Sequence, residues 1–357
     1  MQIEKGRFME KNAKIVIITA LSGSGKDHYI KSAVEEAEKM GKRIKVYPLG
    51  DMLFEHGKDA RQYLASLTQE NILDIEPDTM AVLRAKALDQ IYYELESKGI
   101  RAEYDAVLIL VHGVFLWKGF YDSAWDPHKI LALRPDMFCT LIDDYQRVAD
   151  ELNQREQWVD QPLKVKDIMM WSNVEVVLVE SWANFRRKPH YVIPTPSSPQ
   201  FLYKLIFEPE LPIVYVSMPL THGYTPEIQA EVDCLIKDVE IRFPTIDPRS
   251  IDPITKSGVT EFDMQVSRHI TRRDEFWFVG RAGIVLAYFP KIVLSWGLVT
   301  EVNKASKTGK QAWLIWQHKD IPSPFAKDAT HRIFESRGEL VHYIDTVYIP
   351  KLRSKNK

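Results

Sequence analysis

The sequence predicts an α/β protein of two three-layer α/β/α units, each built on a mainly parallel sheet. Three observations carry that expectation. Unbroken runs of β-preferring apolar residues recur: Ile15-Val16-Ile17-Ile18, Ala106-Val107-Leu108-Ile109-Leu110-Val111, Met137-Phe138-Cys139-Thr140-Leu141-Ile142 and Ala282-Gly283-Ile284-Val285-Leu286-Ala287-Tyr288. Runs without polar alternation are strands covered on both faces, and segments of helical spacing separate them. The alternation stops at Glu208-Pro209-Glu210-Leu211-Pro212, a linker by composition, and restarts with Ile213-Val214-Tyr215-Val216-Ser217. Two domains are therefore expected, residues 13–208 and residues 211–350, which a chain of 357 residues accommodates.

Charge is nearly balanced at −2, which argues against a nucleic-acid coat or a polybasic membrane anchor. No apolar run approaches the roughly 20 residues of a bilayer span. The polar residues 1–14 read as neither signal peptide nor span. Cys139 and Cys234 sit in apolar stretches and read as buried, reduced thiols, without a structural zinc. The expectation is a soluble, cytoplasmic protein with a small-molecule partner, no nucleic acid and no membrane.

The first domain opens on the strand at 15–18, a loop of small residues, and a helix at 27–40 with Ile30, Val34 and Ala37 on one side. Strand, loop ending in Gly25-Lys26, then helix is the P-loop arrangement. Its backbone amides, here within Ser22, Gly23, Ser24, Gly25, Lys26 and Asp27, would wrap the phosphates of ATP. Lys26 would reach the β- and γ-phosphoryl oxygens. Ala20 stands where the motif has its first glycine, and Asp27 where it has the Mg²⁺-binding hydroxyl. A carboxylate is itself a hard oxygen ligand, so Asp27 is the expected Mg²⁺ contact. Gly-Lys-Asp here resembles the loop of some small-molecule and deoxynucleotide kinases. The bland alternative is a tight strand-to-helix turn.

A strand at 43–47 leads into Leu49-Gly50-Asp51-Met52-Leu53, which resembles the acceptor-site opening of nucleoside monophosphate kinases. Asp51 is then a substrate contact, or else a turn's N-cap. A helix over 78–98 puts Met80, Leu83, Ala87, Ile91 and Leu95 on one buried face and stops at Gly99. The strand at 106–111 ends in His112-Gly113. Carboxyl ends of parallel strands are where open α/β sheets hold ligands, so His112 meets phosphate or acceptor, or is a structural histidine. The strand at 137–142 runs into Asp143-Asp144 and a helix carrying Arg147 and Arg155.

This order of motifs resembles archaeal-type adenylate kinase and its P-loop kinase relatives. The resemblance implies that Arg147 and Arg155 stabilise the phosphoryl group in transit, whose equatorial oxygens need fixed positive partners. Each is otherwise a salt-bridged surface arginine. Arg155-Glu156-Gln157-Trp158 lacks that family's repeated lid arginines, and Trp117-Lys118-Gly119 replaces its turn after the histidine strand. Both departures bear on the acceptor. A helix at 169–182, a strand at 191–194, a loop at 195–199 and a short helix to Phe207 complete the domain.

The second domain begins with the strand at 213–217 and the loop Ser217-Met218-Pro219-Leu220-Thr221-His222-Gly223, an anion pocket by position, feeding a helix at 226–243. Asp274 precedes the strand at 282–288. Ser295-Trp296-Gly297-Leu298-Val299-Thr300-Glu301 follows, then Ala305, Gly309-Lys310 and the strand at 312–316. This string resembles the nucleoside 2-deoxyribosyltransferase and deoxynucleoside-monophosphate N-glycosidase superfamily, which implies a flavodoxin/Rossmann-like fold. It further implies Glu301 as nucleophile, Ser217, Ser295 and Gly297 at the nucleotide's phosphate, and Asp274 as an orienting or proton-transfer group. Cleaving an N-glycosidic bond builds oxocarbenium charge that a carboxylate stabilises or captures. Otherwise Glu301 is a solvated residue on a connecting helix. Residues 328–337 read as helix, 340–343 as extended, and 351–357 as a frayed basic tail.

Together these readings imply a kinase-like phosphotransferase using ATP and Mg²⁺ on a nucleoside or nucleotide. It is fused to a domain that binds (deoxy)nucleotides or cleaves their N-glycosidic bond, in nucleotide metabolism. Two alternatives stay open: a P-loop switch governing a C-terminal glycosidase, and a kinase with a non-catalytic ligand-binding or oligomerising module. Relatives of the second domain form dimers or larger assemblies, so self-association is expected.

Overall fold

The computed structural model describes residues 12–59, 67–68, 71–124, 126–219, 225–251, 264–292 and 295–355. The strands of the first half are β1 (Lys14–Ala20), β2 (Ile44–Pro48), β3 (Ala106–Val111), β4 (Val114–Trp117), β5 (Phe120–Ser123), β6 (Met137–Ile142) and β7 (His190–Pro194). Five of them form a fully parallel sheet in the order β2-β3-β1-β6-β7, and β4 and β5 pair as an antiparallel hairpin. Continuous apolar sequence has the expected consequence. Val16, Ile18 and Ala20 of β1 pack toward helices Lys26–Lys39 and Gln200–Phe207, while Ile15 and Ile17 pack toward helices Pro77–Ser97 and Val165–Arg186. Because all five strands run one way, Ala20, Pro48, Val111, Ile142 and Pro194 end on the same edge. The chain leaves β1 on one side and re-enters at β6 on the other, which opens a crevice there.

The second half repeats the plan with β8 (Val214–Ser217), β9 (Thr245–Ile246), β10 (Ile284–Tyr288), β11 (Gln311–Ile315) and β12 (Arg332–Phe334), all parallel in the order β12-β11-β10-β8-β9. Val214, Val216 and Leu286 face helices Pro226–Glu240 and Arg337–Tyr343. Tyr215, Val285 and Ala287 face helix Trp296–Lys307 and the π-helical turn Asp274–Val279. Each half is thus a three-layer α/β/α arrangement. The sheets share no strand, yet one apolar cluster runs from Ile18 and Phe201 of the first to Tyr215 and Phe278 of the second. Helix Met264–Arg273 adds to the junction by placing Val266 and Ile270 among Tyr145, Leu152 and Trp171.

Several elements differ from expectation. Residues 328–337 are not one helix: helix Pro324–Ala329 ends, Arg332–Phe334 joins the sheet edge as β12, and helix Arg337–Tyr343 follows. Leu340-Val341-His342-Tyr343 is therefore helical rather than extended. Ser336 caps this helix by accepting from the Glu339 amide at 3.1 Å, and Leu340 and Ile344 fall on one buried side. A four-residue apolar run reads alike in both periods, so tertiary packing decides. The tail is helical over Ile349–Lys355, with Ile349 and Leu352 packed on the second core. Cys139 is buried, but Cys234 is exposed, because Val232, Leu235, Ile236 and Val239 form the buried stripe of its helix. Arg155 is not on the helix with Arg147, which ends at Asn153. Trp117-Lys118-Gly119 lies at the tip of the β4–β5 hairpin, whose two turn residues Lys118 and Gly119 have φ of 48° and 79°. Residues 220–223 of the expected anion loop, residues 1–11 and residues 356–357 lie outside the described residues. Among those described, no helix is long and apolar enough to cross a membrane.

Candidate functional site

The loops after β1, β2, β3, β6 and β7 converge on a cavity of about 1070 Å³. Its wall includes Ser22, Gly23, Ser24, Gly25, Lys26, Asp27, Asp51, His112, Arg147 and Arg155, that is, every first-domain residue singled out from sequence. The loop is shaped by two glycines with φ near +70°, a conformation costly for other residues. A side chain on Gly23 would meet Glu151 and Leu152 at 3.2 Å. Gly25 caps helix Lys26–Lys39, with the Asp143 carboxylate and Thr195 hydroxyl beyond it. First-turn amides of a helix have no intrahelical acceptor, and here Lys26, Asp27 and His28 carry them along the cavity wall. The Ser24 hydroxyl donates to the Leu21 carbonyl at 2.7 Å, closing the loop on itself.

Three of the cavity's cations are paired with carboxylates. Lys26 Nζ lies 2.5 Å from Asp27 Oδ1, whose side chain is 84 % exposed. Arg147 Nε donates to Asp143 Oδ2 at 3.0 Å, and Arg155 pairs with Glu151 at 3.3 Å. Asp27 and Asp143 are hard oxygen donors on the wall. Among the described residues no three His, Cys, Asp or Glu groups form a metal cage, but Mg²⁺ bound through phosphates needs only one or two carboxylates. The donor set fits that mode.

His112 is pushed down to about 4 by burial and by nearby Lys26, with the Ala20 carbonyl acting in the opposite sense, so it is neutral near pH 7. Its Nδ1 has no hydrogen-bond partner among the described residues. Two buried groups that the sequence reading missed complete this side. Glu175 accepts from the Gly113 and Val114 amides, each at 2.8 Å, while Trp171 Nε1 donates to the Val114 carbonyl at 3.0 Å. A Cβ on Gly113 would lie 3.1 Å from Glu175 Oε2, so a side chain there would press on the carboxylate that the two amides hold. Burial raises Glu175 to about 7. Arg84, 7 % exposed, also borders the cavity, donating to the Ser123 carbonyl at 3.2 Å and lying 5.5 Å from the Phe115 ring. Glu175 could have been noticed as the lone carboxylate on an apolar helical stripe. Arg84 gives no such signal, since nothing in its spacing distinguishes it from a surface arginine.

In the second half, Glu301 lies beneath the ends of β8 and β10, where the strand order reverses. Its Oε1 accepts from the Tyr215 hydroxyl at 2.9 Å and its Oε2 from the Ser217 hydroxyl at 2.5 Å. Burial raises it to about 7 against the lowering by the Ser217 bond, and neighbouring Asp274 adds to the rise. Asp274 is tied to Arg273 at 2.9 Å. The Ser217 hydroxyl is thus turned toward Glu301. Ser295 is the N-cap of helix Trp296–Lys307, accepting from the Leu298 amide at 3.4 Å, and Gly297 is exposed on its first turn with open space around it. Glu301, Ser217 and Asp274 come together with Tyr215, while Gly297 and Ser295 sit toward the helix start, about one and about two turns away.

No protein-family model matches the chain, and no curated protein is significantly similar to it.

Proposed function

We propose that the chain is an ATP-dependent phosphotransferase acting on a nucleoside or nucleotide, with a second domain that binds a (deoxy)nucleotide or cleaves its N-glycosidic bond. The observation that carries this reading is convergence. Residues chosen from separate motifs along the first domain border one cavity at the carboxyl edge of a parallel sheet. On this reading the first half has a P-loop kinase fold. The second sheet, counted by chain position, has the order 2-1-3-4-5 of flavodoxin-like sheets, with Glu301 at the crevice where such folds hold ligands.

Phosphoryl transfer asks a protein chiefly for positioning and fixed charge. Lys26 exchanges Asp27 for the β- and γ-phosphoryl oxygens, which frees the Asp27 carboxylate to hold Mg²⁺. When bound, Mg²⁺ neutralises charge on the phosphate oxygens. Arg147 and Arg155 exchange Asp143 and Glu151 for the equatorial oxygens of the group in transit. Asp51 and the His112 ring border the acceptor. In the second half, ionised Glu301, held by Tyr215 and Ser217, faces the anomeric carbon, with Asp274 beside it and the helix start at Ser295 and Gly297 toward the phosphate.

The test is a panel of nucleosides and nucleoside monophosphates with ATP and Mg²⁺, read for ADP and for free base. Acceptor-dependent ADP that is lost in Lys26→Ala supports the kinase reading; ADP formed without any acceptor favours a nucleotide switch. Free base lost in Glu301→Ala supports the glycosidase reading. Absence of any heat on titrating ATP with Mg²⁺ into the protein would overturn the first-domain assignment.

A further inference from the structure

Between the two halves lies a guanidinium that neither motif anticipates. Arg273 ends helix Met264–Arg273 and is 1 % exposed. Aromatic rings from both halves flank it, Tyr145 at 5.9 Å and Phe278 at 5.5 Å. Its Nε donates to Asp274 Oδ1 at 2.9 Å and its Nη1 to the Ile251 carbonyl at 3.1 Å. Tyr145 is fixed in turn, its hydroxyl 3.1 Å from His269 Nε2, and it opens the helix that carries Arg147. On the other side Phe278 stacks on Tyr215 at 6.5 Å, and the Tyr215 hydroxyl reaches Glu301. A buried cation needs a carboxylate partner and fixed surroundings, and here one of the two flanking rings, Tyr145, belongs to the first domain.

We propose that Arg273 is a positioning residue for the second site and that Tyr145 of the first domain holds it there, so that Asp274 and Glu301 are correctly set only when the first domain is docked. The proposal deepens the reading of Glu301 as the reacting carboxylate and rests on it for its functional meaning. The groups facing Glu301 are Tyr215 and Ser217 on β8 and Asp274 and Glu275 on the π-helical turn. Lys304, one turn along, approaches Glu275 at 3.8 Å. Asp274 and Glu275 hold the Glu301 proton more tightly, and Arg273 acts on Tyr215 in the opposite sense. Displacing Arg273 therefore changes the charge balance around Glu301 through Asp274 and Tyr215.

The experiment is carboxyl-carbon NMR titration of the full-length protein labelled at glutamate, with Glu301 assigned by its loss in Glu301→Gln. Arg273→Met is expected to displace the Glu301 midpoint by about one pH unit. Tyr145→Ala should displace it in the same direction by less, while Tyr145→Phe, which keeps the ring, leaves it within about 0.3 unit. In an Asp274→Asn background, Arg273→Met should add less than it does alone, because the Asp274 route is gone and only the one through Tyr215 remains. Should Arg273→Met not fold, Arg273→Lys carries the same comparison. A Glu301 midpoint unchanged in Tyr145→Ala overturns the proposal. Base release by the unmodified protein is assayed separately: its absence removes the glycosidase reading and leaves the titration result standing.

Discussion

The two candidate sites hold their charges in opposite ways. In the first, Lys26 with Asp27, Arg147 with Asp143 and Arg155 with Glu151 form pairs along an open cavity. Asp27 and Glu151 reach water, and ion pairs of that kind are worth little, so on the proposed reading a polyphosphate takes over Lys26 and Arg155 without a large penalty. Asp143 is buried, and giving up Arg147 leaves it only the Asp144 amide, which costs more. In the second, one half-buried carboxylate is raised by burial, which increases the cost of its charge, while two donating hydroxyls offset part of that cost. The contrast separates two kinds of chemistry. A site that moves an already charged group needs cations ready to change partner, whereas a site that reacts through a carboxylate needs control over that carboxylate's proton.

The largest expected effects test whether the sites are independent. Lys26→Ala should lower ADP formation by about 10³-fold or more while leaving base release unchanged, and Glu301→Gln should do the reverse. Parallel assays of both products decide it, and a variant that depresses both equally breaks the comparison. Next is pH. Because Glu301 sits at about 7 and must be ionised to act, base release should rise about tenfold per unit up to pH 7 and level off above it. Ser217→Ala removes a bond to the ionised form, which should move that limb upward.

Stability should carry the same signature with a defined sign. Glu175 has an ordinary value of 4.5 and is raised to about 7 by burial, so the folded chain keeps a proton that the unfolded chain has lost. Its contribution is full below pH 4.5 and is lost between about pH 4.5 and 7, an effect of order 3 kcal/mol in urea unfolding. Glu175→Gln should flatten part of that slope and also cost about 1–3 kcal/mol at acidic pH, because an amide nitrogen then faces a backbone N–H. Gly113→Ala, pressing on the same carboxylate, should destabilise comparably and raise the KM for the acceptor more than it lowers kcat. The smallest effect belongs to Arg155→Ala, within about 1 kcal/mol on stability, so that any larger loss of ADP formation reports its role at the phosphoryl group.

The strands at 106–111 and 137–142 and the loop with Gly23, Gly25 and Lys26 were legible because each is a local pattern. Apolar continuity specifies a doubly covered strand, and positive φ specifies glycine. Residues 328–343 were not, since β12 exists only as the edge of a sheet whose neighbour, β11, lies some twenty residues earlier. Cys234 shows the same limit on a smaller scale. Its neighbourhood is apolar, but rotation of the helix against the sheet leaves it outside.

By itself the sequence determined the strands made of continuous apolar residues, the helices with clear spacing, and that a lysine follows a glycine-containing loop after the first strand, because those features depend on neighbours three or four residues apart. Only the tertiary structure decided that Glu175 grips the Gly113 turn, that Arg84 borders the cavity, and that Ser217 serves Glu301. It also decided that Arg273 is enclosed by rings from both halves. Those contacts join residues 62, 84 and well over 100 positions apart, and a buried charge finds its partner through the fold rather than along the chain.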